Sequence, residues 1–99
     1  MKRQYVLSPL AQRDVNEIWD YTAEQWGIEQ ARTYTQKIGQ AVERLTASPN
    51  LGVSEHHPLA GYRKFRAGSH QIYYRFDDQS LTVVRILHVR MDALRAIEH

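Results

Sequence analysis

The chain contains no cysteine, which excludes a disulfide framework and any zinc site built on thiolates. A reducing compartment is the simplest fit to that absence. Three prolines and five glycines in 99 residues are too few for a low-complexity or extended chain. No apolar run approaches the ~20 residues that a membrane-crossing helix needs. The opening Met1-Lys2-Arg3-Gln4-Tyr5 is basic, but no long apolar stretch follows it, so it does not read as a signal peptide. A cytoplasmic protein with no membrane contact is expected. Also missing are a nucleophile elbow around any serine and a glycine-rich phosphate loop, since Gly61 and Gly68 lie in hairpin contexts rather than between a strand and a helix. No cofactor is expected.

What is there suits one folded domain, residues 1–99. The hydrophobic share is 42% and the charged share 24%, ordinary values for a chain that buries a single core. The formal net charge is only +2, but its distribution is uneven. Arg63, Lys64, Arg66 and Arg75 fall between Tyr62 and Phe76 with no acidic residue among them, whereas Asp14, Glu17, Asp20 and Glu24 cluster earlier.

Hydrophobic periodicity orders the elements. Gln4 to Leu7 reads as a short strand. Ser8-Pro9 is a helix start, with Ser8 as cap and Pro9 in the first position, where no N–H is needed. Ala11, Val15, Ile18, Thr22 and Trp26 then recur at helical spacing, and Leu10 and Trp19 widen that face. Gly27 ends the helix. A second helix is expected from Ile28 to Ala47, with Ala31, Tyr34, Ile38, Ala41, Val42 and Leu45 as its stripe. Ser48-Pro49-Asn50 stops it, and the short link at Gly27 folds the two helices into a hairpin. Trp19, Trp26 and Tyr34 are expected in the core; Tyr21 lies off the stripe and, if exposed with Trp19, would mark a partner groove. Leu51 to Gly61 reads as a loop. Strands follow at Tyr62 to Ala67, at Ser69 or His70 to Phe76 after a Gly68-Ser69 turn, and at Leu81 to Val89, with Asp77 to Ser80 as the second turn. The tail from Met91 to Ile97 suits one or two helical turns. The order is β-α-α-β-β-β, an α+β fold with the helical hairpin packed on a small, mainly antiparallel sheet. The sheet face away from the hairpin is expected to carry the basic strand residues.

Function is therefore sought among Arg63, Lys64, Arg66, His70, Tyr73, Tyr74, Arg75, Arg85, His88 and Arg90. Arginine and lysine bind phosphate or carboxylate, tyrosine can stack a base, and histidine can move a proton near neutral pH. The plainer reading splits the tyrosines between core and surface and pairs the arginines with carboxylates. A metal site is not expected. His56 and His57 are adjacent in a loop, and His70 and His88, on separate strands, lack an obvious third ligand.

The residues also resemble a known family. Leu7-Ser8-Pro9-Leu10-Ala11, Asp14, Glu17-Ile18-Trp19, Tyr21 and Trp26 to Ala31 are similar to the opening of ParE toxins. Gly61-Tyr62-Arg63, Gly68-Ser69-His70, Tyr74-Arg75 and the closing Val84 to Asp92 continue the likeness, which runs from about Tyr5 to Asp92. The resemblance implies the RelE/ParE fold and a toxin neutralised by a ParD-like antitoxin. It also implies action on DNA gyrase without enzymatic chemistry. RelE relatives share the fold but cleave mRNA. Under that alternative His70, His88, Arg63 and Arg90 would be the catalytic set, with the histidines exchanging protons and the arginines stabilising charge. The match to that branch is incomplete, because His70 stands where one strand arginine is expected and Met91 to His99 contains no tyrosine. Target or antitoxin contacts are expected among Arg63, Lys64, Arg66, His70, Arg75, Arg85, His88, Arg90 and Met91. Arg63 and Arg66 are expected to act together on an acidic antitoxin segment. Direct nucleic-acid binding is left open.

Overall fold

The computed structural model describes residues 3–98; the basic start at Met1-Lys2 and His99 lie outside them. Strand β1 (Gln4–Leu7) leads into α1 (Pro9–Trp26) and α2 (Ile28–Ala47). Strands β2 (Val53–Ser54), β3 (Arg63–Ala67), β4 (His70–Phe76) and β5 (Ser80–His88) follow, and a short α3 (Ala93–Glu98) closes the described chain. The sheet has five strands in the order β1-β5-β4-β3-β2. β1 runs parallel to β5 and the remaining pairs are antiparallel.

Local chemistry accounts for the helix boundaries. Ser8 holds an extended conformation, and its hydroxyl accepts the Ala11 N–H at 3.0 Å. The same hydroxyl donates to the Val84 carbonyl at 2.7 Å, so the cap also ties α1 to β5. Gly27, at φ +95°, closes α1 through its N–H to the Ala23 carbonyl, while its own carbonyl accepts the Ala31 N–H of α2. That positive φ, costly for any residue with a Cβ, lets the hairpin turn in a single residue.

The hairpin covers one face of the sheet. Ile38, Val42 and Leu45 of α2 pack with Ile72 and Tyr74 of β4 and Val83 of β5. Each such aliphatic side chain contributes about 1.5–3 kcal/mol on full burial. The Tyr74 ring is fully buried; its hydroxyl accepts the Gly52 N–H at 2.9 Å and donates to the Pro49 carbonyl at 2.6 Å. This contact organises the segment expected as an open loop. Pro49–Leu51 form a 3-10 turn, and Val53–Ser54 pair with Lys64 and Arg63 as an extra edge strand. Turn-rich composition hid a strand only two residues long, whose pairing depends on a distant tyrosine.

Two aromatic and apolar placements differ from expectation. Trp26 is 64% exposed and Leu10 is also exposed. The apolar stripe of α1 runs out before Trp26, which stands on the wall of an open cleft shared with Tyr34, Ser69, His70 and His88. In its place on the buried side stands Asp14, 8% exposed.

Asp14 makes a connection that the hydrophobic pattern does not show. Its carboxylate accepts Arg85 Nε at 2.8 Å and Arg85 Nη2 at 2.9 Å, and it also accepts the Ile86 backbone N–H at 2.9 Å. The need for it follows from the sheet. β1 pairs with β5 only as far as Leu7 opposite Val83, and a register shift leaves Val84 without a partner in β4. Beyond that point Ser8 and Asp14 take over from the strand, bonding the Val84 carbonyl and the Ile86 N–H. Arg85 Nη1 also donates to the Ala96 carbonyl at 3.1 Å, anchoring α3. A bidentate charge-assisted pair of this kind is strong when complete and costly when halved. Asp14→Ala should lower unfolding stability by about 3 kcal/mol, measured by urea titration. Asp14→Asn, whose amide oxygen can still accept one N–H, should cost less. Equal, small losses for both would remove the pair from its structural role.

Candidate functional site

The basic strand residues do not share one surface. Alternation along β3 puts Arg63 on the same side as Phe65 and Ala67, which pack toward the helices. There Arg63 is half-buried, and its Nη1 donates to the Gly52 carbonyl at 2.6 Å. Lys64 and Arg66 point to the opposite face, as do their β4 partners Tyr73 and Gln71 and, farther along β4, Arg75. Arg63 and Arg66 therefore do not form the joint patch expected of them: strand alternation at odd spacing separates them. On the outer face Lys64 pairs with Glu55 at 3.0 Å, and this bond raises its pKa above the usual lysine value. The Arg75 guanidinium lies over the Tyr62 ring, 5.5 Å from its centroid. Arg66 Nε donates to the Gly68 carbonyl at 2.9 Å on an exposed surface. Tyr73 is buried, which pushes its hydroxyl pKa up.

Arg85 is also committed internally, to Asp14 and Ala96. Its pKa is raised by the bond to Asp14, so it stays protonated. Arg90 and Met91, just after β5, are exposed. Of the expected contact set, Arg66, Arg75, Arg90 and Met91 thus present open surface, whereas Arg63, Lys64 and Arg85 are spent on bonds within the chain.

His70 and His88 are brought together. They face each other in the β4–β5 register, and their rings meet edge-on, with centroids 5.4 Å apart. Tyr34 of α2 completes the group. Its hydroxyl accepts the Ser69 N–H at 2.9 Å and lies 2.6 Å from His70 Nδ1. The Tyr34–His70 contact is a hydrogen bond in either tautomer, the phenol donating to a bare Nδ1 or accepting from Nδ1–H. The tight β3–β4 turn is what permits this approach. Gly68 has φ +63°, and a Cβ there would lie 2.7 Å from the Tyr34 ring. His88 Nδ1 in turn accepts the Arg90 N–H at 3.1 Å. No third histidine or carboxylate joins the two imidazoles as a metal-binding group among the described residues.

The cluster floors a cleft between the C-terminal half of α1 and the ends of β4 and β5. One lobe, of about 300 Å³, is lined by Tyr21, Trp26, Gln30, Tyr34, His70 and His88. A second, of about 280 Å³, continues past His88 toward Glu17 and Met91. Tyr21 and Trp26 stand edge to face at 6.0 Å on its wall. Sequence reasoning found the two histidines but missed Asp14, Tyr34 and Trp26 as parts of this region. An acidic residue within the apolar stripe of α1 and an arginine within an apolar strand were the available signal for the first of these.

Chemically the cleft is an aromatic surface more than an acid–base centre. Burial lowers the His70 pKa, the neighbouring His88 lowers it further, and Asp14 opposes both. Arg63, which the RNase alternative needs close by, sits four positions from Ala67, the β3 partner of His70, or roughly 13 Å along the strand. A histidine with a depressed pKa binds fewer protons folded than unfolded, so stability rises with pH across that window. Its contribution is complete above the unfolded value of about 6.5 and is lost as pH falls toward the folded pKa. Unfolding midpoints should therefore drop between about pH 7.5 and about pH 5, and His70→Gln should flatten that drop while still hydrogen-bonding Tyr34. An unchanged pH profile in the variant would show that His70 is not the group responsible.

Comparison with known proteins agrees with this architecture. The chain matches the family described as ParE toxin of type II toxin-antitoxin system, parDE, over residues 5–93. It is 43% identical over 96 residues to Toxin ParE1 of Mycobacterium tuberculosis, covering 96% of this chain and 98% of that one. It is 34% identical over 91 residues to Toxin ParE1 of Caulobacter vibrioides, covering 92% and 94%, and 36% identical over 94 residues to Toxin ParE of Escherichia coli, covering 91% and 88%. Among solved structures, the chromosomal ParDE toxin–antitoxin system from P. aeruginosa superposes with a TM-score of 0.78 at 21% identity, covering 90% of this chain and 98% of that one. A RelBE toxin–antitoxin complex from Mycobacterium tuberculosis follows at 0.68 and 21%, covering 89% and 99%. At those identities the structural likeness speaks for the RelE/ParE fold, while the sequence matches decide the branch: the chain belongs to the ParE toxin family of type II toxin–antitoxin systems.

Proposed function

We propose that this toxin arrests growth by inhibiting DNA gyrase, and that a ParD-like antitoxin neutralises it. Membership of the ParE family over nearly the whole chain carries the reading. The site chemistry supports a binding protein over a nuclease. His70 Nδ1 and His88 Nδ1 are both occupied by bonds within the chain, and Arg63 and Arg85 are engaged elsewhere. Cleavage of RNA through its 2′-OH needs a free base, a free cation at the phosphate and a proton donor for the leaving group, held within about 3 Å of the reacting atoms. In the described residues Arg90 is the one member of the expected catalytic set with both exposure and proximity to the histidines.

The outer basic face suits an acidic antitoxin segment, although the pair that carries it is Arg66 and Arg75 rather than Arg63 and Arg66. Rim charges of this kind contribute modestly and are screened by salt. Arg66→Glu with Arg75→Glu should weaken the toxin–antitoxin complex roughly tenfold at low salt and less at high salt. Affinity that ignores both changes would place the antitoxin elsewhere.

Expression without the antitoxin should stop growth while mRNA stays intact, and purified toxin should block gyrase supercoiling or trap cleaved DNA. Supercoiling unaffected by excess toxin would overturn the gyrase target. Rapid mRNA loss that disappears in His70→Ala would establish the nuclease instead.

A further inference from the structure

The cleft beside α1 has a chemistry opposite to that of the outer basic face. Tyr21 and Trp26, 60% and 64% exposed, wall it without any covering element. Glu17 and Glu24 flank Tyr21 on α1 at spacings of four and three, and Asp20 lies between them at three and four. All three acids are exposed; Glu17 and Glu24 share Tyr21's side of the helix, while Asp20, one position away, lies beside them on the solvent side. α1 carries a single base, Arg13, one turn before Glu17. Neither a carboxylate nor a lysine or arginine lines the lobe at Trp26, which leaves it to the apolar group. In the second lobe the cation present, Arg85, is neutralised by Asp14, which leaves Glu17 as the net charge. Arg90, exposed beside Met91, marks the far end. The floor is Tyr34, His70 and His88, and partial burial makes the His70 imidazole disfavour the charged form.

We infer that this cleft docks a segment of a protein partner that carries a bulky apolar side chain next to arginine or lysine. The apolar group would enter between Tyr21, Trp26, Tyr34 and His70, and the cation would rest on the Glu17 and Glu24 face. An exposed aromatic pair with Glu17 and Glu24 beside Tyr21 favours this occupant twice over. The rings offer their faces to a cation, and the carboxylates supply charge complementarity. An acidic segment would face uncompensated repulsion along α1. The toxin would then hold two surfaces of opposite preference, a basic one on the outer sheet face and an acidic, aromatic one at the hairpin edge. The inference rests on the reading that the chain acts through protein partners, but not on which target it arrests.

A random dodecapeptide phage library panned on the immobilised toxin tests it. Enriched peptides should place leucine or an aromatic residue beside lysine or arginine. Their synthetic forms should bind Trp26→Ala and Tyr21→Ala about tenfold more weakly than the native protein. Glu17→Lys with Glu24→Lys should turn the preference toward acidic flanks. All four positions are exposed, and unchanged thermal unfolding would show that the variants fold. Peptides that depend on Trp26 but carry acidic or uncharged flanks would overturn the inference, as would the absence of any Trp26-dependent binder. A negative supercoiling assay would leave these outcomes intact, so the failure of one reading is separable from failure of the other.

Discussion

The carboxylate of Asp14 is the point on which three separate parts of the molecule meet. It fixes the Arg85 guanidinium, takes the N–H that β5 exposes where β1 has ended, and through Arg85 holds the C-terminal helix. A parallel edge strand four residues long cannot pair the whole of a nine-residue strand, so the unpaired remainder must bond to something else or to water. α1 answers with a serine at its cap and an acid less than two turns later. The hairpin is thus joined to the sheet by directed bonds as well as by apolar burial, and the direction fixes how α1 lies. That orientation decides where Tyr21 and Trp26 stand and how close Tyr34 comes to His70.

The same geometry explains why the sheet's charge is divided. A strand offers alternate residues to opposite faces, so a sequence that reads as one basic run cannot remain one basic patch once it is extended. Arg63 turns inward and serves Gly52, while Lys64 turns outward and meets Glu55. The charge that remains for partners is what the fold has not already used. This is a smaller and better-defined set than composition suggests, and it lies on the outer face of β3 and β4 and after β5.

Legibility in the sequence followed the range of the interaction. Ser8-Pro9 and Gly27 announce the helix limits because caps act within a few residues. The 3.6-residue stripe of α2 gave Ile38, Val42 and Leu45 correctly for the same reason. The meeting of His70 with His88 was also accessible, since the short Asp77 to Ser80 turn makes β4 and β5 a hairpin that sets these two residues opposite each other. Trp26 was misplaced because periodicity says which face of a helix is apolar but not where the covering sheet stops. The strand at Val53–Ser54 was hidden because its stability comes from Tyr74, more than twenty residues away. The Asp14–Arg85 pair spans 71 positions; each residue looked anomalous in its own segment, and the two anomalies resolve only together.

Those long-range contacts also bear on function. A toxin in a two-component system must present surface to its target and surface to its antidote, and it must keep both in a domain with one small core. In this chain the buried charges are matched internally, so they add rigidity without adding to the exposed field. The exposed residues can then differ in sign between the outer face and the hairpin edge without straining the interior. Rigid, pre-set surfaces reduce the ordering cost on association. The Tyr34–His70–His88 group contributes in the same way, since each Nδ1 already bonded within the chain holds its ring in place against the cleft. A binding role uses that fixed geometry directly. At His88, whose Nδ1 accepts a backbone N–H, the neutral ring carries its proton on Nε2, so taking up a proton there would break the bond that orders it.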